Sequence, residues 1–377
     1  TQGYSSAASD VYKRQLALLF CFMAVVAGFR SVGLFEWLIK KMLCYVKNAR
    51  QLELVLVLGC FFASMWITND VALLTFVPFA VAVLQAAGLT ENLIFVIVMQ
   101  TIAANLGSML TPLGNPQNLY LYGKAGIGIA EFLKIMLPYT VCAFALLMAW
   151  IGLASMVRKR KLSHDGKTEI KQNKDLDSAE DKASTKRQKD SLGASGSKWE
   201  KKDAEWIEKF TAYLILFVIS LLAVSHILPY GVPFALVILY LLLRDRKILT
   251  QVDYSLLCIF IALFIFIGNL GRIPAFSQLL SDILTGREVV TSVIASQVMS
   301  NVPAAILLSG FTDHIRELVI GTNLGGLGTL IASMASLISF KYVAKEDRSF
   351  RGRYFLEFTV ANVIFLFIMM ILYRLLS

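Results

Sequence analysis

Residues Ala104 to Leu119 read A-N-L-G-S-M-L-T-P-L-G-N-P-Q-N-L. Apolar runs flank the stretch, Leu93 to Met99 before it and Leu119 to Tyr122 after it. Two glycines, two prolines, three asparagines and a threonine are too many helix breakers for a segment facing lipid, where a freed backbone amide or carbonyl finds no partner. The stretch therefore predicts a transmembrane helix broken where it lines a cavity enclosed by protein. Free carbonyls, amide side chains and helix ends aimed into a cavity are the materials of a small-ion site.

The chain uses this device twice. Residues 323–337, N-L-G-G-L-G-T-L-I-A-S-M-A-S-L, align with 105–119 without a gap. Asn323 falls on Asn105, Leu324 on Leu106, Gly325 on Gly107, Thr329 on Thr111 and Leu337 on Leu119. Upstream of each broken span lies a pair of short apolar runs that meet at a polar tip. The first pair, Leu52 to Trp66 and Val71 to Ala87, meets at Thr68-Asn69-Asp70. The second pair occupies 288–311 and meets at Ser300-Asn301-Val302-Pro303. A run of about 15 residues is short of the roughly 20 needed to cross a bilayer, which suggests re-entrant hairpins; two tilted full spans joined outside the membrane are the alternative. Leu16 to Leu38 also resembles Leu256 to Leu279, with Gly28 on Gly268 and Phe35 on Phe276. Each half then runs span, hairpin, broken span, span.

The composition fixes the class. The 377 residues are 57% hydrophobic and 16% charged, with a mean hydropathy of +0.66, whereas soluble domains are about half apolar and a quarter charged. This is an all-α polytopic membrane protein. The net charge of +10 fits basic cytoplasmic loops rather than a nucleic-acid surface. The segments 40–50, 158–205, Arg244 to Lys247 and Lys341 to Arg353 are all basic. With these set inside, the first hairpin enters from the cytoplasm and the second from outside, so the repeats have inverted topology and their tips meet near the midplane.

Four segments follow. Residues 1–15 resemble a non-native scar and are set aside. Residues 16–157 form the first repeat. Residues 158–205 are rich in Lys, Asp, Ser and Glu and form a disordered cytoplasmic linker. Residues 206–377 form the second repeat, which opens with two additional spans at 207–228 and 232–243. By symmetry the first half lacks its N-terminal spans. Cys21, Cys44, Cys60, Cys142 and Cys258 have no ligand-like spacing and read as membrane-buried hydrophobes.

Thr68, Asn69, Asp70 and Asn105 make one polar group, and Ser300, Asn301 and Asn323 make a similar one. Amide and hydroxyl oxygens with unwound carbonyls suit a hard monovalent cation, and Asn69, Asp70 and Asn301 are the candidate Na+ ligands. Helices opening after each tip aim positive ends at the cavity, which favours an anion beside the cation. The alternative is that these groups only satisfy one another inside a bundle. Asp70 is the one acid in the tips, and an intramembrane carboxylate points to function; capping a helix that begins at Val71 is its plainer role. Arg30, Lys124, Arg272 and Arg374 lie at span ends and are expected to reach the membrane interface, leaving no Lys or Arg in the cavity. No acid/base pair, nucleophile–histidine set or metal motif is present, so an enzyme is disfavoured. A channel is a further alternative, but paired hairpins argue for alternating access.

These tips and broken spans resemble the ion transporter superfamily, which includes divalent anion:sodium symporters, citrate transporters, arsenite permeases and Na+/H+ antiporters. The resemblance runs from Leu16 onward, apart from 158–205. The symporters carry Ser-Asn-Thr at each tip; here the asparagines stand and the third positions are Asp70 and Val302. The family's Gly-Thr-Pro-Pro-Asn segment resembles Gly114-Asn115-Pro116-Gln117-Asn118. The resemblance implies a dimeric, elevator-type secondary carrier in a bacterial-type inner membrane. It would move a small anion, a di- or tricarboxylate, coupled to Na+ or H+ and with no cofactor; the same superfamily offers a Na+/H+ antiporter or an arsenite or oxyanion permease instead. The positions at stake are Thr68, Asn69, Asp70, Asn105, Gly107, Thr111, Gly114, Asn115, Pro116 and Asn118 in the first half. In the second they are Ser300, Asn301, Val302, Pro303, Asn323, Gly325, Thr329 and Ser333.

Overall fold

A computed structural model describes residues 2–43, 46, 48–165, 196–225, 227–270, 273–346 and 350–377. Helices dominate these residues, and none is a strand. Six helices are long and apolar enough to cross a membrane, and the protein is a polytopic membrane protein.

The first half runs α1 (Gln2–Ser31), α2 (Leu34–Leu43), α3 (Ala49–Ser64), α4 (Asn69–Ala86), α5 (Leu93–Gly107), α6 (Pro116–Ala125) and α7 (Ile129–Asp165). The second runs α8 (Gly196–Val224), α9 (Gly231–Arg244), α10 (Tyr254–Leu270), α11 (Pro274–Leu284), α12 (Glu288–Met299), α13 (Asn301–Leu308), α14 (Ile315–Leu324), α15 (Met334–Glu346) and α16 (Phe350–Leu376). The expected hairpins are α3 with α4 and α12 with α13. The expected broken spans are α5 with α6 and α14 with α15. The central part of the expected 158–205 linker lies outside the described residues, and at its ends α7 runs on to Asp165 while α8 begins at Gly196. Gln15, the last residue of the stretch set aside above, is buried and donates its amide to the Tyr120 carbonyl at 3.1 Å.

Local sequence explains where the breaks fall. The uncharged run of α5 ends at Gly107, and α6 opens with Pro116 in its first turn, where the missing N–H costs nothing. Gly126, at φ +65°, ends α6 in the left-handed conformation that glycine adopts without penalty. Of the α5 span, 89% is buried, against 22% for α7, so α5 is the central element and α7 faces outward. The outer face of α7 and α16 exposes Leu137, Val141, Leu153, Phe367 and Leu375, as lipid contact requires.

The halves interlock. α3 and α4 pack on α5, as α12 and α13 pack on α14. α15 then packs against α4 and α5, and α6 packs against α13 and α14, so the second part of each broken span lies in the other half's hairpin. Inside the first hairpin the buried Gln100 amide donates to the Leu56 carbonyl at 3.1 Å and the Phe76 carbonyl at 3.4 Å. Thr101 and Ser339 join the halves at 2.7 Å. Of the cysteines, Cys21 and Cys60 are buried in the fold, Cys142 is half-buried and Cys258 is exposed on the apolar α10; Cys44 lies outside the described residues.

Small residues allow this approach. A Cβ on Gly107 would lie 2.2 Å from the Phe61 carbonyl oxygen and 2.6 Å from Ser64 Oγ. On Gly325 it would lie 2.6 Å from Ser296 Oγ and 2.8 Å from its Cβ. Gly107→Ala is expected to lower stability by roughly 1–3 kcal/mol through overpacking. Its nearest obstacle is main chain, so Ser64→Gly leaves the loss in place, whereas Ser296→Gly recovers part of the loss caused by Gly325→Ala, the Gly321 carbonyl oxygen at 2.9 Å accounting for the remainder. Thermal unfolding in detergent of the four single and two double variants checks both statements.

Candidate ion and substrate site

Each hairpin tip is clamped to its own broken span by the main chain. The Asn69 N–H donates to the Gly114 carbonyl at 3.1 Å, and the Asn301 N–H donates to the Ala332 carbonyl at 3.0 Å. Gly114 and Ala332 occupy the same place in the gapless alignment of the two broken stretches. Matched threonines add a second clamp: Thr111 Oγ1 donates to the Met65 carbonyl, and Thr329 Oγ1 to the Gln297 carbonyl at 3.2 Å. The same chemistry thus recurs at the same register.

Side chains then cross between the halves. Ser333 Oγ donates to Asn105 Oδ1 at 2.9 Å, and the matched Asn115 Nδ2 donates to Asn323 Oδ1 at 3.4 Å. Asn69 Nδ2 donates to Asn105 Oδ1 at 3.0 Å and to Ser333 Oγ at 3.4 Å. Asn105 Nδ2 reaches the Gly326 carbonyl at 3.3 Å. Asn323 Nδ2 donates to Asn118 Oδ1 at 2.6 Å. The Asn118 amide holds the break itself, donating to the carbonyls of Ser108 and Thr111 at 3.4 and 3.2 Å. Both tips therefore reach the 326–333 loop, Asn69 through Ser333 and Asn301 through Ala332.

The two tips are not equivalent. α4 begins at Asn69 with Thr68 as its extended N-cap residue, and Asn69 Oδ1 accepts the Asp70 N–H at 2.9 Å. Asp70 is therefore inside the helix, where the sequence had it capping a helix begun at Val71; Asn69 already serves the first free N–H, so the Asp70 carboxylate is left for other work. Its Oδ1 is buried and has no hydrogen-bond partner among the described residues, and the same holds for Asn115 Oδ1 and both amide atoms of Gln117. The residues that follow the bonded pair Asn69 and Gly114 are thus an orphan carboxylate and an orphan amide oxygen. At the matched places of the second half stand Val302, buried and apolar, and Ser333, already bonded. There the tip residue is Ser300, held at φ +73°, a strained conformation for a residue with a side chain.

A cavity of about 670 Å³ opens beside Asp70, lined by Arg30, Thr68, Asp70, Leu113, Pro116 and Asp253, with α1, α4 and α15 contributing apolar walls. First-turn residues of α4, α6 and α15 all line it, so three helix starts bring partial positive charge to one space. Arg30 overturns the expectation that no Lys or Arg enters the cavity: from the last turn of α1, and exposed, it lines the same space as Asp70. Lys124, also expected at the interface, instead donates to the Ser309 carbonyl at the end of α13. Arg272 lies outside the described residues.

Of the remaining sequence-predicted positions, Gly107 and Gly325 serve close packing, Thr111 and Thr329 clamp the tips, and Pro116 lines the cavity. Pro303 sits in the first turn of α13. Of the candidate Na+ ligands, Asn69 bonds toward Ser333, Asp70 faces the cavity, and Asn301 lies against Gly326. Sequence reasoning missed Gln297, whose amide donates to the Gly325 and Leu327 carbonyls at 3.0 and 2.9 Å and accepts the Thr329 N–H at 2.8 Å. A side-chain amide three places before the Ser300 tip, in a run whose other neutral polar residues are the small Thr291, Ser292 and Ser296, was the available signal. Asp253 and Gln117 were missed as well. Among the described residues no three His, Cys, Asp or Glu side chains gather as a metal site.

Comparison with known proteins gives consistent matches. The sequence profile described as Citrate transporter matches residues 2–315. An uncharacterized transporter of Methanocaldococcus jannaschii is 29% identical over 327 residues, 86% of this chain and 79% of that one. The inner membrane protein YbiR of Escherichia coli is 28% identical over 346 residues, 89% of this chain and 80% of that one. A silicon efflux transporter of Oryza sativa subsp. japonica is 30% identical over 123 residues, 33% of this chain and 25% of that one.

Proposed function

The chain belongs to the citrate transporter family and is a membrane transporter rather than an enzyme, and from that premise we propose that it is a secondary active carrier moving a di- or tricarboxylate together with Na+ or H+. The observation that carries this reading is the orphan Asp70 carboxylate oxygen, with the orphan Asn115 oxygen after the bonded Gly114, at a cavity where three helices begin. Uncompensated acceptors of this kind take a cation or a proton. Helix starts and the Arg30 guanidinium take an anion. Neutralising Asp70 removes a charge that repels the anion, so binding of one favours binding of the other, which is what coupling needs.

In this reading the repeats are inverted and re-entrant, and the tips with the 326–333 loop move together as an elevator past α1, α8 and α9, in a homodimer of a bacterial-type inner membrane. The matched bonds between tip and broken span support one moving body, because each clamp is repeated and the halves are crosslinked. A permease for a small oxyacid is the second reading, favoured by the match to the silicon efflux transporter over a third of this chain.

Purified protein in proteoliposomes, offered citrate, succinate, arsenite or silicic acid with Na+ and pH gradients imposed separately, tests the reading. Gradient-driven uptake of a carboxylate supports it. Uptake of the oxyacids alone replaces it with the second reading, and gradient-independent leak current replaces it with a channel.

A further inference from the structure

Several cations of the fold are committed to protein partners. Arg14 Nη2 donates to the Ala223 carbonyl, Lys124 to that of Ser309, and Lys41 lies 5.2 Å from the Trp37 ring centroid. Arg244 pairs with Glu208 and Arg353 with Glu357. The Arg30 guanidinium, in the last turn of α1, lines the cavity with no hydrogen bond or ion pair among the described residues. Arg30 is itself exposed, while the walls beside it are mostly apolar, with Phe22, Met23, Val26 and Leu113 among them, so water screens part of its charge and the planar fork has to supply the rest by geometry.

We propose that Arg30 is a specificity-determining residue: it takes the second carboxylate of a substrate whose first carboxylate sits at the helix starts beside Thr68 and Pro116. This rests on the carboxylate-carrier reading above and sharpens it, because a monocarboxylate fills only one end. Asp70 and Asp253 line the same cavity, and Asp253 accepts the Leu256 N–H at 3.1 Å. With Arg30 these make one cation against two carboxylates, so an anion is held only where the guanidinium and the helix starts outweigh them. A planar fork with five donors fits a carboxylate at two points, which an ammonium does not.

The test is uptake by the full chain in proteoliposomes, with citrate and succinate as substrates and propionate as competitor. Arg30→Gln is expected to raise the KM for citrate and succinate about twofold to fivefold, with kcat unchanged. Inhibition by propionate should stay unchanged, and Arg30→Lys should recover part of the loss. An unchanged melting temperature verifies the fold. Unchanged KM values, or a fall in kcat alone, overturn the role of Arg30 while leaving the carrier reading intact. If wild-type protein takes up neither carboxylate under either gradient, the carrier reading falls and the role of Arg30 falls with it.

Discussion

Asn69→Ala and Asn301→Ala are each expected to abolish coupled uptake while the protein stays folded. The fold survives because both tips are held by backbone N–H groups, on Gly114 and Ala332, which alanine retains. What Asn69→Ala removes is the amide that reaches Asn105 Oδ1 and Ser333 Oγ, together with the oxygen that accepts the Asp70 N–H. A buried group left without its partner costs about 1–3 kcal/mol, which corresponds to roughly a 5- to 150-fold loss of cation affinity. Uptake against Na+ concentration, with a thermal melt to verify folding, is the measurement. Wild-type uptake and ion dependence in both variants would show that the asparagines only fasten the bundle. Asn69→Ala should be the more severe of the two, since its side chain touches both halves, whereas Asn301 accepts only from Ser300 Oγ, at 3.4 Å.

Asp70→Asn is expected to have the largest single effect on coupling. The substitution keeps the shape and removes the charge at the one orphan carboxylate of the tips. If Asp70 neutralises bound Na+, the concentration for half-maximal uptake rises about 10- to 150-fold, the worth of a hydrogen bond or contact to a charged group. The pH profile then stays like that of the wild type. This is the expected result, because amide oxygens beside the carboxylate suit a hard cation. Loss of pH dependence with unchanged Na+ response would transfer the role to a proton. Unchanged responses to both ions would leave Asp70 with neither role, and would leave its orphan oxygen without an account.

The repeat was legible because breaking a buried helix takes residues that stand out. Asn105, Gly107 and Thr111 announce the first break, and Asn323, Gly325 and Thr329 fall on them without a gap. The structure makes the matched bonds from these same positions, Thr111 to Met65 and Thr329 to Gln297. What sequence could not supply was neighbourhood. Arg30 at a helix end reads as an interface residue until it is seen to line the same cavity as Asp70. Asp253 reads as a loop acid until the loop is seen to edge the cavity. Gln297 reads as a stray polar residue until three backbone groups of its own half's break are found on its amide. In each case the chemistry was in the residue and the role was in a distant neighbour.

The crossed bonds Ser333 to Asn105 and Asn115 to Asn323 bear on how the chain is made. As the ribosome delivers the first half, the Nδ2 groups of Asn105 and Asn115 enter the membrane more than two hundred residues before Gly326 and Asn323, to which they donate, exist. During that interval their amides face lipid, water or a helper protein, at a cost that only the arrival of residues 323–333 removes. The first half is thus a waiting template, and the second completes it as an intramolecular ligand would.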